Sequence, residues 1–170
     1  PHDGHLNPLY LLRALQQNMI SLGCRYLPNQ KVASVIRDQD GFKLHTKDRQ
    51  FFADRIVLCC GLDNSRLAQQ VGMHIPVEPV RGQLLVTERV APFLSMPSLQ
   101  VRQTCEGTLQ IGDSHEHTDL DDGTSLSMIT KIASRAVKIF PHLENVHLNR
   151  AWGALRIMTP DGLPVYHQSE

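Results

Sequence analysis

Two arginines stand apart in this sequence because each is an isolated guanidinium within extended, largely apolar residues. Arg156 lies in Ala151-Trp152-Gly153-Ala154-Leu155-Arg156-Ile157-Met158-Thr159-Pro160-Asp161-Gly162-Leu163-Pro164-Val165, beside the only tryptophan and ahead of a sharp Pro-Asp-Gly-x-Pro turn. Arg81 closes Ile75-Pro76-Val77-Glu78-Pro79-Val80-Arg81-Gly82. A guanidinium presents a planar fork that pairs bidentately with a carboxylate and stays charged at working pH. Buried without a partner it is costly, so such a residue is aimed at something. The chemistry this implies is recognition of an anion, first of all a substrate carboxylate. The competing reading is an internal ion pair with Glu78 or Glu88, or a strand-edge arginine reaching water. Arg81 fits the ion pair better; Arg156 stands open between the two.

Other chemistries find less support. Asp113-Ser114-His115-Glu116-His117 holds metal-ligand residue types. His115 and His117 would diverge on a helix, however, and the spacing matches no zinc motif, so the segment reads as a solvated loop with no metal. Ser65 sits in Leu62-Asp63-Asn64-Ser65-Arg66 rather than in a G-x-S-x-G elbow. None of the four cysteines (Cys24, Cys59, Cys60 and Cys105) has CxxC spacing or a nucleophile setting. They read as reduced, small core residues of a cytoplasmic protein.

The whole-chain balance narrows the field. Seventeen basic residues match seventeen acidic ones, and no basic cluster carries interleaved aromatics, which argues against nucleic acid as a partner. The apolar runs Ile56 to Cys60 and Leu84 to Val86 fall far short of the ~20 residues that span a bilayer. At 170 residues and 41% apolar, the chain can build one sizeable core or parts of two layers. It begins Pro1-His2-Asp3 without methionine and stops soon after a tight turn, as an internal piece of a longer protein would.

The elements that must position these residues follow from periodicity. Leu9, Leu11, Leu12, Leu15, Met19, Ile20 and Leu22 recur at helical spacing, which predicts a helix from Pro8 to Leu22 stopped by Gly23. Lys31 to Arg37 and Phe42 to Thr46 flank Asp40-Gly41, a hairpin signal; Phe51 to Asp54 continues the meander. Arg55 to Cys60 predicts an unbroken strand buried on both faces, as in a parallel sheet. Gly61 ends it, and Asp63-Asn64-Ser65 can cap a helix through Val71, a junction where anionic groups can approach the backbone. The two prolines at Pro76 and Pro79 mark a domain crossing. Strands are then predicted at Gln83 to Glu88, Leu99 to Thr104 and Thr108 to Gly112, the last two joined by Glu106-Gly107. A polar loop from Asp113 to Thr124 precedes a helix from Ser125 to Phe140, whose face is Leu126, Ile129, Ile132, Ala133, Ala136, Val137 and Phe140. Val146 to Ile157 returns as a strand carrying Arg156.

Four motifs in this order resemble one family. They are Gly4-His5-Leu6-Asn7-Pro8 with Leu11-Leu12-Arg13-Ala14-Leu15, Val57-Leu58-Cys59-Cys60-Gly61, Pro79-Val80-Arg81-Gly82-Gln83-Leu84, and Leu155-Arg156-Ile157-Met158-Thr159-Pro160-Asp161-Gly162-Leu163-Pro164. The chain resembles the FAD-dependent oxidoreductases related to D-amino-acid oxidase, which include glycine oxidase and the beta subunits of sarcosine oxidase. Ile111-Gly112-Asp113-Ser114-His115-Glu116 and Trp152-Gly153-Ala154-Leu155-Arg156 are most similar to beta-type subunits of hydroxyproline and opine dehydrogenases.

The resemblance implies an α+β fold with α/β character: part of a glutathione-reductase-type FAD domain, plus a substrate domain with a mixed, largely antiparallel sheet covered by helices. Residues 1–77 would belong to the flavin domain, 78–157 to the substrate domain, and 158–170 would return to the flavin domain. Val32 would hold the adenine through its backbone, Cys60 and Gly61 would lie along the FAD, and Asp161-Gly162 would lead back towards it. Arg156 would pair with the carboxylate of an amino or imino acid. The reaction implied is hydride transfer from the substrate carbon to flavin N5, which depends on orientation more than on a side-chain acid or base. Alpha- and gamma-type partner subunits, or a homo-oligomer, are also implied. The other class of reading is a non-catalytic substrate-binding or subunit-interaction module.

Three features depart from the family pattern. No G-x-G-x-x-G follows a strand in these residues, so the main phosphate grip of a dinucleotide site is absent from them. Asp63 stands where the family often has an aromatic. Gly153-Ala154 reverses the commoner Ala-Gly before Leu155-Arg156.

Overall fold

The structure is a computed structural model and describes residues 4–169. Pro1, His2, Asp3 and Glu170 lie outside the described residues. The chain divides into two compact units, residues 1–19 with 79–156 and residues 20–78 with 157–170. The divisions fall at 78/79 and 156/157, and residues 1–19 group with the segment that carries Arg81 and Arg156.

Helix α1 (Pro8–Ser21) begins where expected. Pro8 suits a first turn that needs no N–H, and the Asn7 side chain accepts a hydrogen bond from the Leu9 N–H at 3.0 Å. Gly23 ends the helix in the left-handed region, with φ +82°. No α1 residue is buried, although Leu9, Tyr10, Leu12 and Leu15 are large and apolar.

The smaller unit holds an antiparallel meander of β1 (Ser34–Asp38), β2 (Gly41–His45) and β3 (Gln50–Ala53). Asp38 pairs with Gly41, so the hairpin turn is Gln39-Asp40 and Gly41 already opens the second strand. Gly41 is required there by proximity: a Cβ would sit 2.6 Å from the Ala53 carbonyl oxygen. A short 3-10 turn, Gly61–Asp63, leads into α2 (Asn64–Gln69), and Val35, Leu67 and Ala68 are fully buried.

Three expectations fail in this unit. Arg55 to Cys60 forms no strand, and Val57 is 85% exposed. Its apolar run is strand-like, but a β-ladder needs a partner, and no strand among the described residues lies beside it. Asp63 makes no capping bond, because its carboxylate is drawn into a two-point pair with the Arg66 guanidinium at 2.9 and 3.0 Å. Cys24, Cys59 and Cys60 are free and exposed rather than in the core, Cys59 and Cys60 because they belong to the unpaired run; Cys105, in the larger unit, is free and exposed as well.

The larger unit is a four-stranded sheet in the order β5-β6-β4-β7. The long strand β4 (Glu78–Arg89) pairs antiparallel with β6 (Thr108–Ile111), which pairs antiparallel with β5 (Val101–Gln103); β7 (Leu148–Met158) flanks β4 on the other side. Gly107, at φ +93°, makes the β5–β6 turn. Helix α3 (Leu126–Ile139) covers the sheet: Ile132 and Ala136 pack with Leu85, Val101, Leu109, Ile111 and Leu143 in one core. Leu126, placed on the apolar face by periodicity, is exposed because it begins the helix beyond the sheet-facing turns. Among the described residues no helix is long and apolar enough to cross a membrane.

Candidate active site

Strand β4 organises the polar centre of the larger unit. Its buried alternate positions, Arg81, Gln83, Leu85 and Thr87, are mostly polar, and Gln83 is only 1% exposed. Buried polar groups need partners, and the segment after β6 supplies them. Arg81 and Glu116 exchange two backbone hydrogen bonds, at 2.8 and 3.0 Å, and the Arg81 guanidinium pairs with the carboxylates of Glu116 at 2.9 Å and Asp121 at 2.5 Å. The Gln83 amide donates to Glu116 at 3.0 Å, and its carbonyl accepts from the Ser125 N–H at 3.0 Å. The Ser114 hydroxyl accepts from the Gln83 N–H at 2.9 Å and donates to Glu116 at 2.7 Å. Glu116 thus meets a guanidinium, a hydroxyl and an amide. The Arg81 bond, chiefly, holds its carboxyl below the usual carboxylate range against the opposing effect of burial. The same pairing raises Arg81 above its ordinary value.

The internal ion pair expected for Arg81 is therefore present with other partners. Glu116 and Asp121 hold it, while Glu88 meets His147 at 2.9 Å. Glu88 lies seven positions along β4 and on the opposite face, so it cannot turn back to Arg81.

Arg156 occupies the neighbouring position on β7. One terminal nitrogen donates to the Ser114 carbonyl at 2.7 Å and the other to the Asp113 carboxylate at 3.0 Å. Both side chains are about one-third exposed, at 33% and 34%. The Nη1/Nη2 end of the guanidinium packs against Gly82, where a Cβ would fall 2.5 Å from Nη2 and 2.6 Å from Cζ. Three features therefore fix its position: a glycine below it, a carbonyl at one end and a carboxylate at the other. Arg135 holds the Asp113 carbonyl at 2.6 Å, so the backbone beneath that carboxylate is itself tied down. Elsewhere on the same strand the Trp152 ring is covered by Arg150, whose Cζ lies 5.3 Å from the ring centroid.

The segment 113–121 is less solvated than its composition predicts. His115 and His117 are exposed, but Ser114 is buried and Glu116 is largely so. No group of three or more metal-ligating side chains occurs among the described residues.

The residues expected to meet FAD lie in the smaller unit. The half-buried Val32 gives its carbonyl to Arg66 at 3.2 Å, which leaves a second lone pair, and its N–H has no partner among the described residues. Gly61 has φ +64°, a conformation that suits glycine. Cys60 is exposed, and its N–H is held by the Asn64 side chain at 2.8 Å. Gly162 has φ +72° in a turn closed by its N–H on the Thr159 carbonyl at 3.1 Å. The Asp161 carboxylate accepts the Leu163 N–H at 3.0 Å, and this bond lowers its pKa. A free backbone donor, side-chain-free glycines and open surface fit the flank of a dinucleotide, whereas a phosphate-gripping glycine loop is not among these residues.

A sequence model described as DAO, FAD dependent oxidoreductase, matches residues 1–170. The chain belongs to this family. It is 40% identical over 168 residues to the opine oxidase B subunit of Agrobacterium tumefaciens (strain Ach5), covering 99% of this chain and 45% of that protein. Glycine oxidase from Geobacillus kaustophilus superimposes with a TM-score of 0.83 at 25% identity, over 91% of this chain and 43% of that one. L-proline dehydrogenase from P. horikoshii gives 0.92 at 19% identity, over the full chain and 49% of that one, a likeness of fold. The chain thus spans somewhat under half the length of the curated relative and of the glycine oxidase it matches. The fold shared with them is α+β, built of helices and antiparallel sheets.

Family membership gives the departures a physical content. Gly153 is required by close approach, because a Cβ there would overlap the carbonyl oxygens of both Asp122 and Gly123. Four contributors to the site were given no such role by the sequence reading: Asp113, Ser114 and Glu116 were read as part of a solvated loop, and Gln83 was named only within a predicted strand and a family motif. The signal available for them was Gln83 at a core-facing position of a predicted strand, a polar residue that had to find partners.

Proposed function

We propose that the chain works as part of an FAD-dependent oxidoreductase that oxidises an amino or imino acid, with Arg156 receiving the substrate carboxylate. The observation that supports this reading most is the Arg156 guanidinium itself, one-third exposed at 33% and packed against a residue with no side chain. Its hydrogen bonds to Ser114 and Asp113 use one donor on each terminal nitrogen, so further N–H groups remain for a carboxylate. When bound, FAD supplies the acceptor for hydride leaving the substrate carbon, and the resulting imine is hydrolysed. Val32, Cys60, Gly61, Asp161 and Gly162 are the residues of this chain proposed to flank it.

The protein's task is then orientation. Arg156 fixes the carboxylate; Ser114 and Asp113 fix Arg156; and Glu116 with Arg81 and Gln83 fixes the segment bearing Ser114 and Asp113. The test is Arg156→Ala in the complete FAD-loaded protein, with affinity for carboxylate ligands measured by titration. Truncating one partner of a fully desolvated charge pair costs about 2–5 kcal/mol, and partial exposure places this case at the lower end, roughly 2–3 kcal/mol or about 30- to 150-fold in Kd. Unchanged affinity removes Arg156 from the site.

A second reading, a subunit-interaction role, is favoured by the exposed apolar residues of α1 and by the relative's description as a subunit. Under it the chain meets alpha- or gamma-type partners or a second copy of itself, in the cytoplasm, where free exposed thiols persist. Mixing the complete FAD-loaded protein with an amino acid separates the two readings: bleaching of the flavin absorbance band supports oxidation at this site, and a band that no amino or imino acid bleaches supports the interaction module.

A further inference from the structure

Asp113 stands beside Arg156 in a way that a simple carboxylate receptor does not require. Its Oδ2 takes the Arg156 hydrogen bond at 3.0 Å, with His115 Nδ1 at 3.8 Å, while Oδ1 accepts no hydrogen bond among the described residues. The side chain is partly open, and the backbone is anchored through its own carbonyl to Arg135 and through the next residue, Ser114, to Gln83 and Glu116. The exposed face therefore shows a positive fork and a free carboxylate oxygen side by side, held by groups that are mostly buried. A plain carboxylate approaching Arg156 meets the neighbouring negative charge of Asp113, whereas a ligand that brings a cation alongside its carboxylate satisfies both.

We propose that Asp113 is a specificity-determining residue that receives, on Oδ1, the ammonium or secondary ammonium group of the substrate, so that the Arg156–Asp113 pair selects the zwitterionic form of an amino or imino acid. The scale agrees: the bonds through Cα put an α-nitrogen and a carboxylate oxygen roughly 3 Å apart, and the Arg156 and Asp113 side chains meet at 3.0 Å between Nη2 and Oδ2. The inference rests on the reading of Arg156 as the carboxylate receptor. It adds that the carboxylate alone is a poor ligand and that Asp113 makes it so.

The test compares L-proline with cyclopentanecarboxylate, and glycine with acetate, as ligands of the complete FAD-loaded protein, with Kd read by calorimetry. The wild type binds each amino acid more tightly than its des-amino partner. In Asp113→Asn, which keeps an oxygen for Arg156, the amino acids weaken about tenfold or more while the des-amino acids bind as well or better, so the preference collapses. Asp113→Ser, which also releases Arg156 and so weakens all four ligands, serves if the first variant fails to fold, because the ratio of amino-acid to des-amino affinity still collapses. An unchanged preference in a folded variant, or an equal gain for all four ligands, overturns the proposal: the first makes Asp113 irrelevant to the amine, the second makes it only a competitor for Arg156. Loss of all four ligands in Arg156→Ala upholds the carboxylate reading independently. Retention of all four in that variant, or saturable binding of none of them by the wild type, overturns both.

Discussion

Gly82→Ala separates the position of Arg156 from the stability of the fold. The added Cβ would lie 2.6 Å from Cζ and 2.5 Å from Nη2 of Arg156, about an ångström inside ordinary contact distance. The obstructing atoms are the far end of a flexible side chain, so the guanidinium retreats and the sheet does not. A retreat of about 1 Å takes it out of hydrogen-bond range of the Ser114 carbonyl, now 2.7 Å away, and of Asp113, now 3.0 Å away. At one-third exposure water takes over the freed groups, so the stability lost is about 1 kcal/mol or less. Binding is more sensitive, because a misplacement of about 1 Å in a positioning group can cost on the order of 100-fold. Chemical denaturation and ligand titration on the same preparation supply both numbers. The expected result is a roughly 10- to 100-fold weaker Kd for carboxylate ligands with nearly unchanged unfolding. Unchanged Kd in a folded Gly82→Ala protein would refute the reasoning that this glycine seats the receptor.

Other perturbations follow from the same geometry. Gly153→Ala drives a Cβ into two backbone carbonyls rather than a side-chain tip, so it lowers unfolding free energy by about 1–3 kcal/mol in a denaturant titration. Leu109→Ala empties a fully buried position in the core under α3 and costs about 2–5 kcal/mol by the same assay. For Glu116, the folded carboxyl titrates below its ordinary 4.5, so the unfolded chain binds more protons in between. Its contribution is complete above that value and is lost as pH falls through the lowered one. Glu116→Gln is therefore less stable than wild type at pH 7, and its stability declines less steeply on acidification, as thermal melts across pH 7 to 3 would record.

Much of the framework is legible in the sequence because it is local. The periodicity of Leu9 to Ile20 with a glycine beyond it defines α1, and the apolar face of 129–140 defines the buried side of α3. Signals that depend on a remote partner are not legible in the same way. Arg55 to Cys60 reads as a buried strand, yet strand character is a property of pairing, and no neighbouring strand is present among the described residues. The ion pair of Arg81 was foreseeable, but not its partners Glu116 and Asp121, which lie 35 and 40 positions away and reach it only because the segment after β6 folds back along β4. That distance also hid Ser114 and Asp113, whose polar neighbourhood resembles any solvated loop until Gln83 and Arg156 are beside it.

Where the substrate carboxylate sits is the central question, and the most direct measurement is a crystal structure of the complete FAD-loaded protein with a bound amino acid. The expected result is both carboxylate oxygens on the Arg156 guanidinium at about 2.7–2.9 Å, above Gly82. A ligand carboxylate bound elsewhere, with Arg156 still engaged only by Ser114 and Asp113, would contradict it.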